Sequence, residues 1–152
     1  MKKILLLAAA FLTFNAASFA QSPYTIEPIM KLGTEFAKQI EAKYPGVIVQ
    51  KAEFDFALDD NYTYIDMSDK LDYIIAGIAD DNVADISLIV YKKVDGTWVK
   101  LKEDSEVKNS AFLEIDPSYT GEYAIDIKVN KLNAGKTSGH VGLFVFVQAK
   151  KQ

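Results

Sequence analysis

The groups able to do chemistry in this 152-residue sequence are mainly acids and aromatic rings. Asp59, Asp60, Asp66, Asp69, Asp72, Asp80, Asp81 and Asp85 fall within 27 positions. If turns gather several of them at one end of a β fold, the oxygen-rich cluster suits calcium. Asp80, Asp81 and Asp85 are the candidate calcium ligands, because they bracket a single turn. The EF-hand pattern does not hold. Counting from Asp80, the sixth position is Asp85 where that loop needs glycine, and the twelfth is Tyr91 where it needs glutamate. Asp85 opens a strand on the side opposite Ile86, so it is expected to face solvent alone, and the plain reading of all three acids is solvated turn residues. Weak calcium binding is the one cofactor expectation, with no tight site. Two such carboxylates could serve glycoside hydrolysis, yet any acidic chain offers such pairs.

Other catalytic chemistries lack their reagents. There is no cysteine, and His140 is the single imidazole, so a nucleophilic triad has one base to draw on at most. His140 lies between Gly139 and Val141 at a strand start and reads as a solvated strand-end residue. A zinc site draws on several Cys or His ligands. The stretch Gly135-Lys136-Thr137-Ser138-Gly139 has neither the P-loop spacing nor a following helix. A non-catalytic protein is expected.

Aromatic residues give the other functional signal. Tyr62, Tyr64, Tyr91, Trp98 and Tyr119 fall where outward strand faces or loops are expected, and flat rings there stack on sugars or peptides. Packing on the sheet surface is the plainer role. Trp98, Tyr62, Tyr64 and Tyr91 are the candidate ligand-binding residues. Trp98 alternates with Lys100 and Lys102 while Val99 and Leu101 take the core side, so Trp98 is expected to be partly exposed.

The elements that must hold these residues are one helix and then strands to the end. Over 26–44 the apolar residues Ile29, Met30, Phe36, Ala37, Ile40 and Tyr44 recur at three- and four-residue spacings, with lysine and glutamate on the remaining face. Pro28 suits the first turn, Thr25 or Glu27 is placed to cap it, and Pro45-Gly46 stops it. Beyond Gly46 the period changes to two, which predicts eight strands at 47–58, 62–67, 71–79, 85–93, 97–102, 111–115, 122–132 and 140–149. Asp59-Asp60-Asn61, Asp80-Asp81-Asn82, Asp95-Gly96, Asp116-Pro117-Ser118 and Asn133-Ala134-Gly135 supply turn chemistry between them. Short strands joined without helices imply an antiparallel sandwich or barrel. Tyr123, Ile125, Ile127 and Val129 are expected to face the core, with Ala124, Asp126, Lys128 and Asn130 wet. The last strand is apolar on both faces, so it is central or covered by the helix.

The stretch Tyr73-Ile74-Ile75-Ala76-Gly77-Ile78-Ala79-Asp80-Asp81, followed by Ala84-Asp85-Ile86-Ser87-Leu88-Ile89-Val90-Tyr91, resembles the opening of a bacterial pre-peptidase C-terminal-like (PPC-like) domain. Asp95-Gly96, Pro117 and Thr120-Gly121-Glu122-Tyr123 match that family's hairpin, proline, threonine-glycine corner and tyrosine-led strand. The resemblance covers about residues 71–147. It implies an antiparallel jelly-roll-like β-sandwich of secreted bacterial proteins, acting as an accessory or binding module rather than a catalytic centre. The family's acidic residues beside the turn at Asp80 are also present. The chain departs from the family by carrying a helix in front.

Residues 1–20 read as a signal peptide: Lys2 and Lys3, an apolar run from Ile4 to Phe14, and Ser18-Phe19-Ala20 with small residues at the cleavage positions before Gln21. The apolar run is too short for a membrane anchor, so the expected organisation is 1–20 signal peptide, 21–46 helix and 47–152 β-sandwich, in a periplasmic or secreted protein. Without residues 1–20, which hold Lys2 and Lys3 and no acid, the formal charge falls from −4 to −6. With that charge and no arginine in the sequence, binding to nucleic acid or an anionic membrane is disfavoured. The expected function is a small exported binding or interaction module for an envelope or extracellular protein, peptide or glycan. A structural or envelope-stress protein without a small ligand is the alternative, and a carboxylate-dependent hydrolase comes third.

Overall fold

A computed structural model describes residues 25–57 and 60–150. The export segment expected over residues 1–20 and the acid Asp59 lie outside them. Helix α1 (Glu27–Lys43) precedes eight strands: β1 (Ile48–Phe56), β2 (Tyr62–Met67), β3 (Leu71–Ala79), β4 (Val83–Val94), β5 (Thr97–Asp104), β6 (Ser110–Ile115), β7 (Gly121–Leu132) and β8 (His140–Ala149).

The strands form two antiparallel sheets, ordered β1-β8-β3-β6 and β2-β7-β4-β5. Pairings β1/β8, β2/β7, β3/β6 and β4/β5 are the rungs of one long ribbon, and β3/β8 and β4/β7 close it into two stacked sheets. That arrangement is a jelly-roll sandwich, as the turn spacing implied. The β4–β5 hairpin turns on Asp95 (φ 50°) and Gly96 (φ 80°), the two successive positive φ values that a tight hairpin matched to strand twist requires.

Period-two alternation fills the space between the sheets with Met67, Tyr73, Ile75, Leu88, Tyr123, Ile125, Ile127 and Val145 among others. A second apolar layer lies outside the first sheet, where Ile29 and Ile40 of α1 pack on Ile74, Phe144 and Phe146. Strand β8 is therefore both central and covered by the helix, which accounts for its two apolar faces. Helix α1 starts at Ile26 without a side-chain cap, so neither Thr25 nor Glu27 caps it. Met30, expected on the buried stripe, is 47% exposed.

Edge position overrides alternation in β5. Val99 and Leu101, expected in the core, are 44% and 38% exposed, because β5 is paired on one side only and its register slips at Val90/Tyr91. At the other edge, β1 carries a bulge between Val49 and Lys51 and the charges Lys51, Glu53 and Asp55. Both devices blunt an exposed edge against pairing with another chain.

Candidate functional site

Helix α1 packs on the sheet β1-β8-β3-β6, and the candidate aromatic residues meet on the outer face of the other sheet, β2-β7-β4-β5, which no helix covers among the described residues. Register places Tyr64 of β2 and Tyr91 of β4 on either side of Ala124 of β7, and Trp98 of β5 beside Lys93 of β4. Strands β2 and β5 lie three strand spacings apart, about 14 Å. The Tyr64 and Trp98 ring centroids are nevertheless 5.6 Å apart, so these side chains reach towards one another across β7 and β4. Tyr62 and Tyr91 form a second pair at 6.4 Å. Four residues scattered over 37 positions of sequence thus become one surface patch.

The patch is held by small groups and paired charges. Ala124 points outward yet is 3% exposed, which fits a methyl group roofed by the rings that flank it. Lys93 Nζ lies 5.3 Å from the Trp98 ring centroid and 2.7 Å from Glu122 Oε2, joining a cation–π contact to an ion pair. Tyr62 and Tyr64 remain 51% and 57% exposed, while Tyr91 and Trp98 are half-buried. The partial exposure expected for Trp98 is observed, although Val99 and Leu101 do not supply the core side that was its reason.

Asp126 is a residue the alternation misplaced. Expected to be wet, it is 1% exposed, because register sets it between Tyr62 and Ile89. Its Oδ1 accepts a hydrogen bond from the Asn61 backbone N–H at 3.2 Å, tying the start of β2 to β7. Burial holds its carboxyl above the ordinary range, against the pull of that N–H. Its charge in turn pushes the Tyr62 phenol upward. Nothing local distinguishes Asp126 from a solvated strand acid; only the neighbouring strands do.

The acidic turn is committed to structure. Asp80 Oδ1 accepts from Asn82 N–H, and Oδ2 accepts from His140 N–H and from Nδ1–H of its ring, each at 2.9 Å. His140, expected to be solvated, is 5% exposed and faces Phe56 with ring centroids 5.0 Å apart. Asp85, expected to face solvent alone, is half-buried, and its Oδ1 accepts from Lys108 N–H at 3.2 Å. Asp81 is exposed, and its backbone carbonyl accepts from Asn133 Nδ2–H at 2.9 Å. Among the described residues no three acids, histidines or cysteines stand close enough to hold a metal together. Tyr119, expected outside, is half-buried; its hydroxyl donates to the Lys93 carbonyl at 2.6 Å and its ring stacks on Tyr123.

A cleft of about 770 Å³ runs along the seam where the edges of β1 and β2 face each other, lined by Lys51, Glu53, Asp55, Tyr62 and Thr63 above Ile127 and Leu143. Thr63 Oγ1 donates to Glu53 Oε2 at 2.5 Å, and Lys51 Nζ lies 2.7 Å from Glu53 Oε1. Burial pushes the Glu53 carboxyl up, but the Thr63 hydroxyl and the Lys51 ammonium together bring it below its ordinary value. This cleft joins residues from two sheets, so no sequence pattern announces it.

Among the described residues no helix is long and apolar enough to cross a membrane. No family model matches the chain, and no curated protein matches it. Among solved structures the chain is similar to a Yersinia pseudotuberculosis-derived mitogen, at 17% identity over 72% of this chain and 92% of that one, with a TM-score of 0.42.

Proposed function

We propose that this protein is a small exported, non-catalytic binding module whose ligand-binding surface is the outer face of β2-β7-β4-β5. One observation carries the reading: Tyr62, Tyr64, Tyr91 and Trp98 converge on the sheet face that the helix leaves open. Aromatic side chains present large contact area at low entropic cost, and a patch of them with a polar rim marks an interaction site. Support also comes from the resemblance of residues 71–147 to an accessory module of secreted proteins. The ligand is an envelope or extracellular protein, peptide or glycan.

The test is a comparison of purified protein with a Tyr64→Ala/Trp98→Ala double variant on an array of envelope glycans, peptides and proteins. Melting temperatures are measured alongside. Selective loss of binding in the double variant, with folding retained, is the expected result. Equal binding by both proteins across the array would remove this face from the function.

A further inference from the structure

We propose that the ligand of the aromatic face is an uncharged carbohydrate chain, an inference that rests on the binding role proposed above. The charges around the rings are of both signs: Asp126 and Asp60 act on the Tyr62 phenol, while Lys93 stands over the Trp98 ring. Lys93 is paired with Glu122 at 2.7 Å and Lys100 with Glu103 at 2.6 Å. Charges of both signs leave no field of a single sign to draw a phosphate, a sulfate or a strongly charged peptide. Paired does not mean saturated. An ammonium has three donors and a carboxylate about four acceptor sites, so each pair keeps capacity for a ligand that both donates and accepts without charge. Sugar hydroxyls do both, and the C–H face of a pyranose ring is flat and apolar enough to lie on a tyrosine or tryptophan.

The layout favours a chain of sugars over an extended peptide. Tyr62 and Tyr64 are two residues apart on β2, so their ring pairs, with Tyr91 and with Trp98, repeat about 7 Å along the strand. That gives two stacking platforms along one strand, on both of which a single chain can rest. A peptide strand would need unpaired backbone groups, whereas the strands beneath the patch, β7 and β4, are hydrogen-bonded on both sides. A proline-rich helix docks into an aromatic-lined groove, and this patch is an open sheet face.

Trp98 is the single tryptophan of the chain, so tryptophan fluorescence reports on this surface alone. Purified protein is titrated with cellohexaose, chitohexaose, xylohexaose and maltohexaose, and in separate arms with a proline-rich decapeptide and with sulfated dextran. The expected result is a saturable change in Trp98 emission with at least one of the four neutral sugars. Its affinity is insensitive to salt and is weakened about tenfold or more in Tyr64→Ala, at an unchanged melting temperature. Tyr62→Ala provides a second exposed truncation should Tyr64→Ala perturb folding. Silence of all four sugars overturns the carbohydrate assignment. If the peptide or the sulfated polymer then binds in a Tyr64-dependent way, the ligand class is wrong while the binding face stands. Silence in every arm, together with an unchanged array profile for the double variant, overturns both.

Discussion

Replacing Gly33 by alanine sets two effects of comparable size against each other, and the packing of α1 decides the sign. Alanine in a helix interior is worth about 1 kcal/mol over glycine, so an undocked helix gains stability. Gly33 is buried at the contact with the sheet. A Cβ there would lie 2.5 Å from Phe144 Cζ and 3.0 Å from Phe54 Cε1. Phe144 cannot step aside freely, because it is 3% exposed and surrounded by the rings of Phe36, Phe54 and Phe146 at 6.1, 5.5 and 6.1 Å. Inserting a methyl group into such packing costs about 1–3 kcal/mol, and this contact, closer than real Cβ atoms tolerate, belongs at the upper end. The net expectation is a destabilisation of about 1–2 kcal/mol, near 4 °C in Tm per kcal/mol for a domain of this size. Urea unfolding followed by far-ultraviolet circular dichroism measures it, with an unchanged slope as the check on two-state behaviour. Thr34→Ala is the control, one residue along the same helix and exposed. It should stabilise by a few tenths of a kcal/mol, since it removes only a hydroxyl bonded back to the Met30 carbonyl. A Gly33→Ala protein more stable than the parent by about 1 kcal/mol would refute the docking of α1 through this glycine.

Trp98→Ala, at a half-buried site, should cost about 1 kcal/mol in chemical denaturation, well short of the roughly 3–5 kcal/mol of a core aromatic truncation. Asp126→Asn tests the buried acid. Its folded-state carboxyl titrates above the ordinary 3.8 because of burial, so its ionisation takes stability away as pH rises through that raised value. The asparagine protein should therefore match the parent in acid below 3.8 and exceed it at neutral pH, with the Tyr62 phenol titrating lower once the neighbouring charge is gone. A parent that is the more stable of the two at neutral pH would contradict this. Asp80→Ala strands three donors at the start of β8 and the turn before β4, so unfolding should become easier by about 3 kcal/mol or more. Millimolar calcium should raise the melting temperature by on the order of a degree, since Asp80 and Asp85 already serve backbone N–H groups; a large rise abolished by Asp85→Asn would show a bound ion stabilising the fold by mass action.

Strands β2, β3 and β8 have the bounds that the alternation alone predicts, 62–67, 71–79 and 140–149. The pairing Asp95-Gly96 marks its hairpin because the φ values required there exclude most residues. These signals are local, written into side-chain chemistry and backbone sterics within a few residues, and so they survive without knowledge of neighbours. The four ring residues were nameable for the same reason, each standing on a face opposite apolar positions or next to a turn.

The local pattern of the sequence by itself determined a helix followed by strands, the turns between them and most of the face that each strand buries. Tertiary structure decided what burial means for residues on the other face. Ala124 and Asp126 alternate with core residues like any wet pair, yet lie buried because β2 and β4 place Tyr62, Tyr64, Tyr91 and Ile89 beside them. His140 is buried because Asp80, sixty positions earlier, receives it. Val99 and Leu101 alternate as core residues but lie exposed because β5 has a neighbour on one side alone. Register and sheet order depend on contacts between distant segments, and those contacts also bring Tyr64 and Trp98 together.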